Sequence, residues 1–206
     1  MPKDFYRQKL PHIQSAGATY FVTYRLASSI PISVIQQLKE QYEWSLNILI
    51  KNKQYTRDQE LDLQKKYFPR LDAYLDANLN GPYWLEQPAV AKIVYDSLLH
   101  LANTTIHLDC FTIMSNHVHA LFSLKQDVDL YRVMQSHKSF TAKKCNELLK
   151  RNGPFWETES YDHIVRGKFN NIVNYILQNP VKAGLVKNWK DWKWTYCNPE
   201  TPASND

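Results

Sequence analysis

The stretch 111–124, FTIMSNHVHALFSL, constrains this chain more than any other. Apolar and β-branched residues run up to a Met114-Ser115-Asn116 interruption, then come His117-Val118-His119 and a second apolar run. That pattern predicts two adjacent strands. On a strand, period-two alternation sets His117 and His119 on one face and Val118 on the other, with Cα atoms about 6.6 Å apart. Two imidazoles so placed can converge on one metal ion. They can equally be sheet histidines held by hydrogen bonds, and the rest of the chain must decide.

With 206 residues, 44% hydrophobic and 22% charged, the chain can bury one well-filled core and has no disordered character. The net charge of +5 is compatible with a phosphate-rich partner without requiring one. Its 13 Tyr, 8 Phe and 6 Trp can stack on unpaired bases, although core packing is their ordinary use. Cys110, Cys145 and Cys197 lack paired spacing, which argues against a disulfide framework and a thiolate zinc site. The N-terminus has no apolar leader and no 18-residue apolar run occurs, so the expectation is a soluble cytoplasmic protein without a membrane partner.

In chain order, residues 1–17 read as a loose polar arm and 18–26, ATYFVTYRL, as a central strand. A helix follows Pro31, and residues 51–82 read as a helical insertion broken at Pro69. Residues 86–102 predict an amphipathic helix with Pro88 near its start, leading into the two adjacent strands. Residues 129–150 form a helix with Leu130, Val133, Met134, His137 and Phe140 on one face, in the most basic part of the chain. FWETESYDHIVR reads as a short strand or an irregular loop, KFNNIVNYILQNP as a helix ended by Pro180, and residues 197–206 as a polar tail.

That last helix offers the His pair two partners. Tyr175 and Asn179 are spaced i, i+4 and share a face. Were the helix to cross the His strand, His117, His119 and Asn179 would supply three neutral ligands and leave positions open on an octahedral divalent ion. A phosphodiester oxygen could take one, and the Tyr175 hydroxyl could attack the phosphorus.

Three motifs in this order, MSNHVHALF, GPFWETESYDHIVR and NYILQNPVKAGLV, resemble those of the REP-associated tyrosine transposases. These are a branch of the IS200/IS605-like transposases, the single-Tyr members of the HUH nuclease superfamily. The resemblance runs from about Ala18 to Val186 and is weakest over 51–82. It implies an α+β fold with a ferredoxin-like (RRM-like) antiparallel sheet packed against helices, forming one domain over 18–196 with the helical insertion inside it. It implies a divalent cation, Mg²⁺ or Mn²⁺, held by His117, His119 and Asn179, with Tyr175 as nucleophile. The implied activity is cleavage and rejoining of single-stranded DNA beside a repeat hairpin through a 5′-phosphotyrosine. Ser115 stands where the family usually has Pro, a small loop departure.

Other positions have two readings each. Tyr161 competes with Tyr175 as nucleophile, although its segment better suits a site wall. Asp162 and His163 orient a ligand, contact DNA or serve structure alone, and Asn116 caps the turn before the His strand. Lys138, Lys143 and Lys144, on the helix after that strand, and Arg166 and Lys168, at the start of the Tyr175 helix, are candidate DNA contacts or plain solvated charges. Trp189, Trp192 and Trp194 stack on bases or close the core. Competing functions are a domesticated repeat-DNA-binding protein without chemistry, a metal-dependent phosphoesterase without a covalent intermediate, and an RNA-binding module. The expected protein is nucleoid-associated when bound to DNA, and a monomer is favoured over a homodimer.

Overall fold

The computed structural model describes residues 5–7, 11–13, 17–77, 81–125, 128–165 and 167–202. In chain order its elements are β1 (Phe5–Arg7), β2 (Pro11–Ile13), β3 (Thr19–Arg25), α1 (Ile32–Lys51), α2 (Arg57–Asp76), α3 (Pro88–Thr104), β4 (Ile106–Ile113), β5 (His117–Leu124), α4 (Leu130–Leu148), β6 (Tyr161–Ile164), α5 (Phe169–Lys182) and β7 (Thr195–Cys197). Two compact units result: residues 28–82, and the rest of the chain.

The larger unit is built on a five-stranded sheet in the order β6-β3-β5-β4-β7, each neighbouring pair antiparallel. Taking β3, β4, β5 and β6 as first to fourth, the first four positions read fourth-first-third-second. With α3 and α4 as crossovers, this is the ferredoxin-like βαββαβ arrangement that was expected. β3, expected to be central, lies between β5 and β6.

Alternation then assigns the two faces. Tyr20, Val22, Tyr24, Val118, Ala120 and Phe122 point one way and pack with Val90, Val94 and Leu98 of α3 and Val133 and Met134 of α4. Burying each such aliphatic side chain is worth roughly 1.5–3 kcal/mol. A bulge between Leu108 and Cys110 in β4 accommodates Asp109 as an extra residue. It returns Leu108 and Phe111, three apart, to the same core face. On the opposite face lie Phe21, Thr23 and Arg25 of β3, His117 and His119 of β5, Thr112 of β4, and Tyr161 and His163 of β6. That face is covered by α5.

Several boundaries differ from expectation. Within the arm, β1 and β2 pair as an antiparallel hairpin, Phe5 opposite Ile13. Pro180 does not end its helix: α5 continues to Lys182 with the proline in its last turn, at the loss of one i→i−4 hydrogen bond. Trp192 Nε1 donates to the Ile113 carbonyl (3.0 Å), and Trp194 packs against the core, so this part of the Trp cluster helps close it. Chain after it is ordered as well: β7 runs to Cys197, and the Asn198 N–H donates to the Asp109 carbonyl at 2.7 Å.

The smaller unit is a helical hairpin. It takes in α1 as well as the 51–82 segment. Thr56 and Gln59 form a reciprocal capping box at the start of α2. Tyr42 meets Tyr67 edge to face (5.8 Å), and Arg70 donates to Gln41 at 2.8 Å. Pro69, expected to break the segment, sits inside a continuous α2. Among the described residues, no helix is long and apolar enough to cross a membrane.

Candidate metal and nucleophile site

Strand register fixes the centre of the site. Thr23 lies opposite His119 and Arg25 opposite His117, so β3 and β5 present all four side chains on the α5 face. Both imidazoles are buried, and their Nε2 atoms face each other at 3.0 Å. The Nδ1 atoms point outward to oxygen partners. His117 Nδ1 is 2.7 Å from Asn116 Oδ1, and His119 Nδ1 is 2.7 Å from Thr23 Oγ1.

These partners bear on the tautomers. A carbonyl oxygen only accepts, so His117 carries its proton on Nδ1 and turns a lone pair inward from Nε2. Thr23 can donate or accept. Without a cation, it can donate to His119 Nδ1 while His119 Nε2–H donates to His117. With a cation, it accepts from His119 Nδ1–H and both Nε2 lone pairs converge. Burial, helped by the nearby Lys182 charge, holds the His119 pKa down to about 3, so this ring stays in the neutral form that ligates.

The residues fit a divalent ion. Metal–ligand bonds of about 2.1 Å at right angles place adjacent ligand atoms about 3.0 Å apart, the separation the two Nε2 atoms already show. From above, α5 brings a tyrosine: the Tyr175 ring lies 5.5 Å from the His119 ring and 5.9 Å from Phe21, edge to face with both. Lys182 Nζ sits 4.9 Å over the Tyr175 ring. Tyr175, Asn179 and Lys182 occupy i, i+4 and i+7 on one helical stripe, and the outer two both flank His119. Asn179 between them is fully buried, and neither its Oδ1 nor its Nδ2 has a hydrogen-bond partner among the described residues. A buried orphaned amide is costly and calls for an explanation such as an ion.

The other candidates are spread more widely. Tyr161 is on the same face, but Thr23 separates it from His119, so it stands two strands away, roughly 9–10 Å at the backbone. Its ring contact is with His163 at 5.6 Å, and His163 in turn meets Phe21 at 5.3 Å. Asp162, one residue from each, points to the opposite face, beside α4. Asn116 does not act through a turn cap alone, because its amide orients His117.

Lys143 and Lys144 are exposed on α4, the helix packed on the other side of the sheet, and Lys144 pairs with Glu147 at 3.2 Å. Lys138 is a strut, not a free surface charge: Nζ donates to the Thr158 carbonyl (2.9 Å) and to Ser160 Oγ (3.2 Å). Burial draws its amine down to about 8. Lys168 is exposed at the N-cap of α5, in a left-handed conformation (φ 53°), about 10 Å along the helix from Tyr175. Arg166 lies outside the described residues.

Sequence reasoning missed Thr23, Lys182 and Arg25. Thr23 and Arg25 were visible as same-face residues of the first strand, but their pairing with β5 needs the register. Lys182 was hidden because Pro180 was read as the helix end.

Residues 90–179 match the family model described as "Transposase IS200 like". The matched segment opens in α3 and closes on Asn179, so it includes the His pair and Tyr175, whereas Thr23 and Lys182 fall outside it. A Haemophilus influenzae protein named as a REP-associated tyrosine transposase is 30% identical over 103 residues, 44% of this chain and 58% of that protein. The chain thus spans under two thirds of that curated relative's length. A solved structure of a REP-associated tyrosine transposase bound to a REP hairpin is similar in fold, with a TM-score of 0.52 at 15% identity. That similarity covers 97% of this chain and 93% of the other.

Proposed function

We propose that this protein is a metal-dependent single-stranded DNA endonuclease and strand transferase acting beside a structured hairpin. The observation that carries the reading is the Tyr175 ring 5.5 Å from His119, whose Nε2 shares a 3.0 Å gap with that of His117. His117, His119 and Asn179 would hold Mg²⁺ or Mn²⁺. When bound, such an ion neutralises phosphate charge and polarises the phosphorus.

The chain's own residues account for the rest. Asn116 and Thr23 orient the imidazoles, and the α5 helix holds the Tyr175 phenol above them. Oη of Tyr175 attacks the phosphorus and the P–O3′ bond breaks. The phenolic proton leaves, the 3′ oxygen gains one, and a 5′-phosphotyrosine remains. Attack by a free 3′-hydroxyl reverses the step and joins strands. Hairpin DNA is the partner this reading shares with the solved structure of similar fold.

The test is a labelled hairpin oligonucleotide with single-stranded flanks, incubated with Mn²⁺ and resolved on a denaturing gel. A denaturation-resistant protein–DNA adduct is expected. Tyr175→Phe should abolish it, while Tyr161→Phe should keep it. Cleavage surviving Tyr175→Phe without adduct would establish a phosphoesterase instead. Binding without cleavage would establish a DNA-binding protein.

A further inference from the structure

A second concavity lies away from the His pair, between α4 and residues 153–162, with a volume of about 340 Å³. Its base is apolar, where the largely buried Met134 of α4, Phe155 and Trp156 reach the cavity from the core. Its rim is rich in acceptors. Glu157, Glu159 and Asp162 bring three carboxylates to it, and the one lysine there, Lys138, already donates to Thr158 and Ser160. Each carboxylate has about four lone-pair sites, so engagement at one oxygen leaves capacity for further donors.

Such a lining repels phosphate and favours a planar ligand with N–H donors at its edge. Among nucleobases, guanine alone presents two adjacent donors, N1–H and N2–H₂, that span a carboxylate bidentately. Thymine offers one donor flanked by two carbonyls, which a carboxylate repels. The volume, at the small end for ligand pockets, suits one nucleotide's base and sugar.

Position ties this pocket to the proposed DNA site. Trp156 forms a β-bridge with Leu26 at the end of β3, and the Glu157 N–H donates to the Arg25 carbonyl at 2.9 Å. Glu157 also pairs with the Arg25 guanidinium at 3.1 Å, and Arg25 lies opposite His117. The same segment then runs into β6, which puts Asp162 on the pocket face and Tyr161 and His163 on the site face. A single strand rounding the β6 edge can therefore reach both.

We propose that this pocket captures one unpaired guanine of the DNA strand and reads it through carboxylate acceptors. The proposal rests on the reading of the His pair as a DNA-processing site. Its test is a titration of the full chain with short oligothymidylates, followed by tryptophan fluorescence and anisotropy. One oligonucleotide carries a central guanine, a second inosine, which lacks the N2 amine, and a third thymine only. The guanine oligonucleotide should bind about tenfold or more tighter than the other two, the scale of one good bidentate contact. Glu159→Gln and Asp162→Asn should shrink that preference, and Ser139→Trp, from an exposed α4 position on the rim, should fill the pocket and remove it. Equal binding of the three oligonucleotides, absence of binding, or a guanine preference unchanged in all three variants would each overturn the proposal. The adduct assay on the same preparations reports separately on the DNA-cleaving function: adduct without guanine preference sinks only the pocket, and guanine preference without adduct sinks only the chemistry.

Discussion

Replacing Asn179 by leucine should make the metal-free protein more stable and its ion binding weaker. The side chain is fully buried, and both amide heavy atoms lack hydrogen-bond partners among the described residues. A buried amide without compensation costs on the order of 1–3 kcal/mol by protein mutational data, and leucine has similar volume with no polar atoms. For a chain of this length, about 1 kcal/mol moves the melting temperature by roughly 2–4 °C, so a rise of about 2–12 °C is expected in EDTA. Saturating Mn²⁺ should reverse the comparison. Wild type gains RT ln(1 + [L]/Kd), and a variant with one ligand fewer gains less at the same concentration. Thermal denaturation followed by circular dichroism, with EDTA and across a Mn²⁺ series, measures both. A loss of 1 kcal/mol or more in EDTA would show that the amide is satisfied in the folded protein. Equal Mn²⁺ shifts would show that Asn179 is no ligand. Either result refutes the reasoning.

Thr23→Val keeps shape but removes the hydroxyl on His119 Nδ1, and should weaken Mn²⁺ binding by about 10–100-fold in a calorimetric titration while Tyr175 stays in place. His137, clamped between Tyr24 (2.7 Å) and Ser97 (2.8 Å), is held neutral by burial and by Lys138, its pKa lowered to about 3. A depressed folded pKa means that the unfolded chain binds the proton first. Stability is therefore full above about pH 6.5 and drains towards pH 3, by on the order of 4–5 kcal/mol at the limit. His137→Gln should flatten that acid limb in urea titrations at pH 7, 5 and 4. Asp109 has the opposite sign: burial raises its carboxyl to about 6, so the stability it contributes is present below about pH 4 and is lost as pH rises through 6. Because this residue is partly exposed, screening reduces the effect, and Asp109→Asn should stabilise by about 1 kcal/mol at pH 8 and by little at pH 4.

How much of this was legible beforehand follows from the range of each interaction. Strand alternation put His117 and His119 on one face, and helical periodicity put Tyr175 and Asn179 on another, because both patterns are local. The meeting of strand and helix was legible only through the order of three motifs. Residues bonded across the sheet stayed hidden: Thr23 is 96 positions from His119, and nothing near it in sequence marks it as the hydroxyl opposite that imidazole. Proline misled twice. Pro69 and Pro180 were read as helix ends, but both sit inside helices, where surrounding packing outweighs one lost hydrogen bond. Lys138 was read as a surface cation because charge suggests solvent. Its bonds to Thr158 and Ser160 depend on where the 153–162 segment returns, which local periodicity does not specify.

The sheet explains why such a site can be kept. Its α3 and α4 face holds a continuous apolar core, and its α5 face holds two histidines, a threonine and an arginine, all buried. Residues of the two sets alternate along β3 and β5, so neither can shift register without exchanging faces with the other. The hydrophobic pattern that stabilises the fold thereby also fixes the His119 Nδ1 opposite Thr23 and the two Nε2 atoms toward each other. Substitutions of Tyr24 or Val118 should consequently weaken Mn²⁺ binding without touching the proposed ligands, through strand register alone. Substitutions of Val173 or Ile176 should do so by another route, tilting α5 and moving Tyr175 off His119 while the imidazole pair keeps its spacing. Ion affinity and adduct yield would then part company: the first set lowers both, and the second lowers adduct yield most.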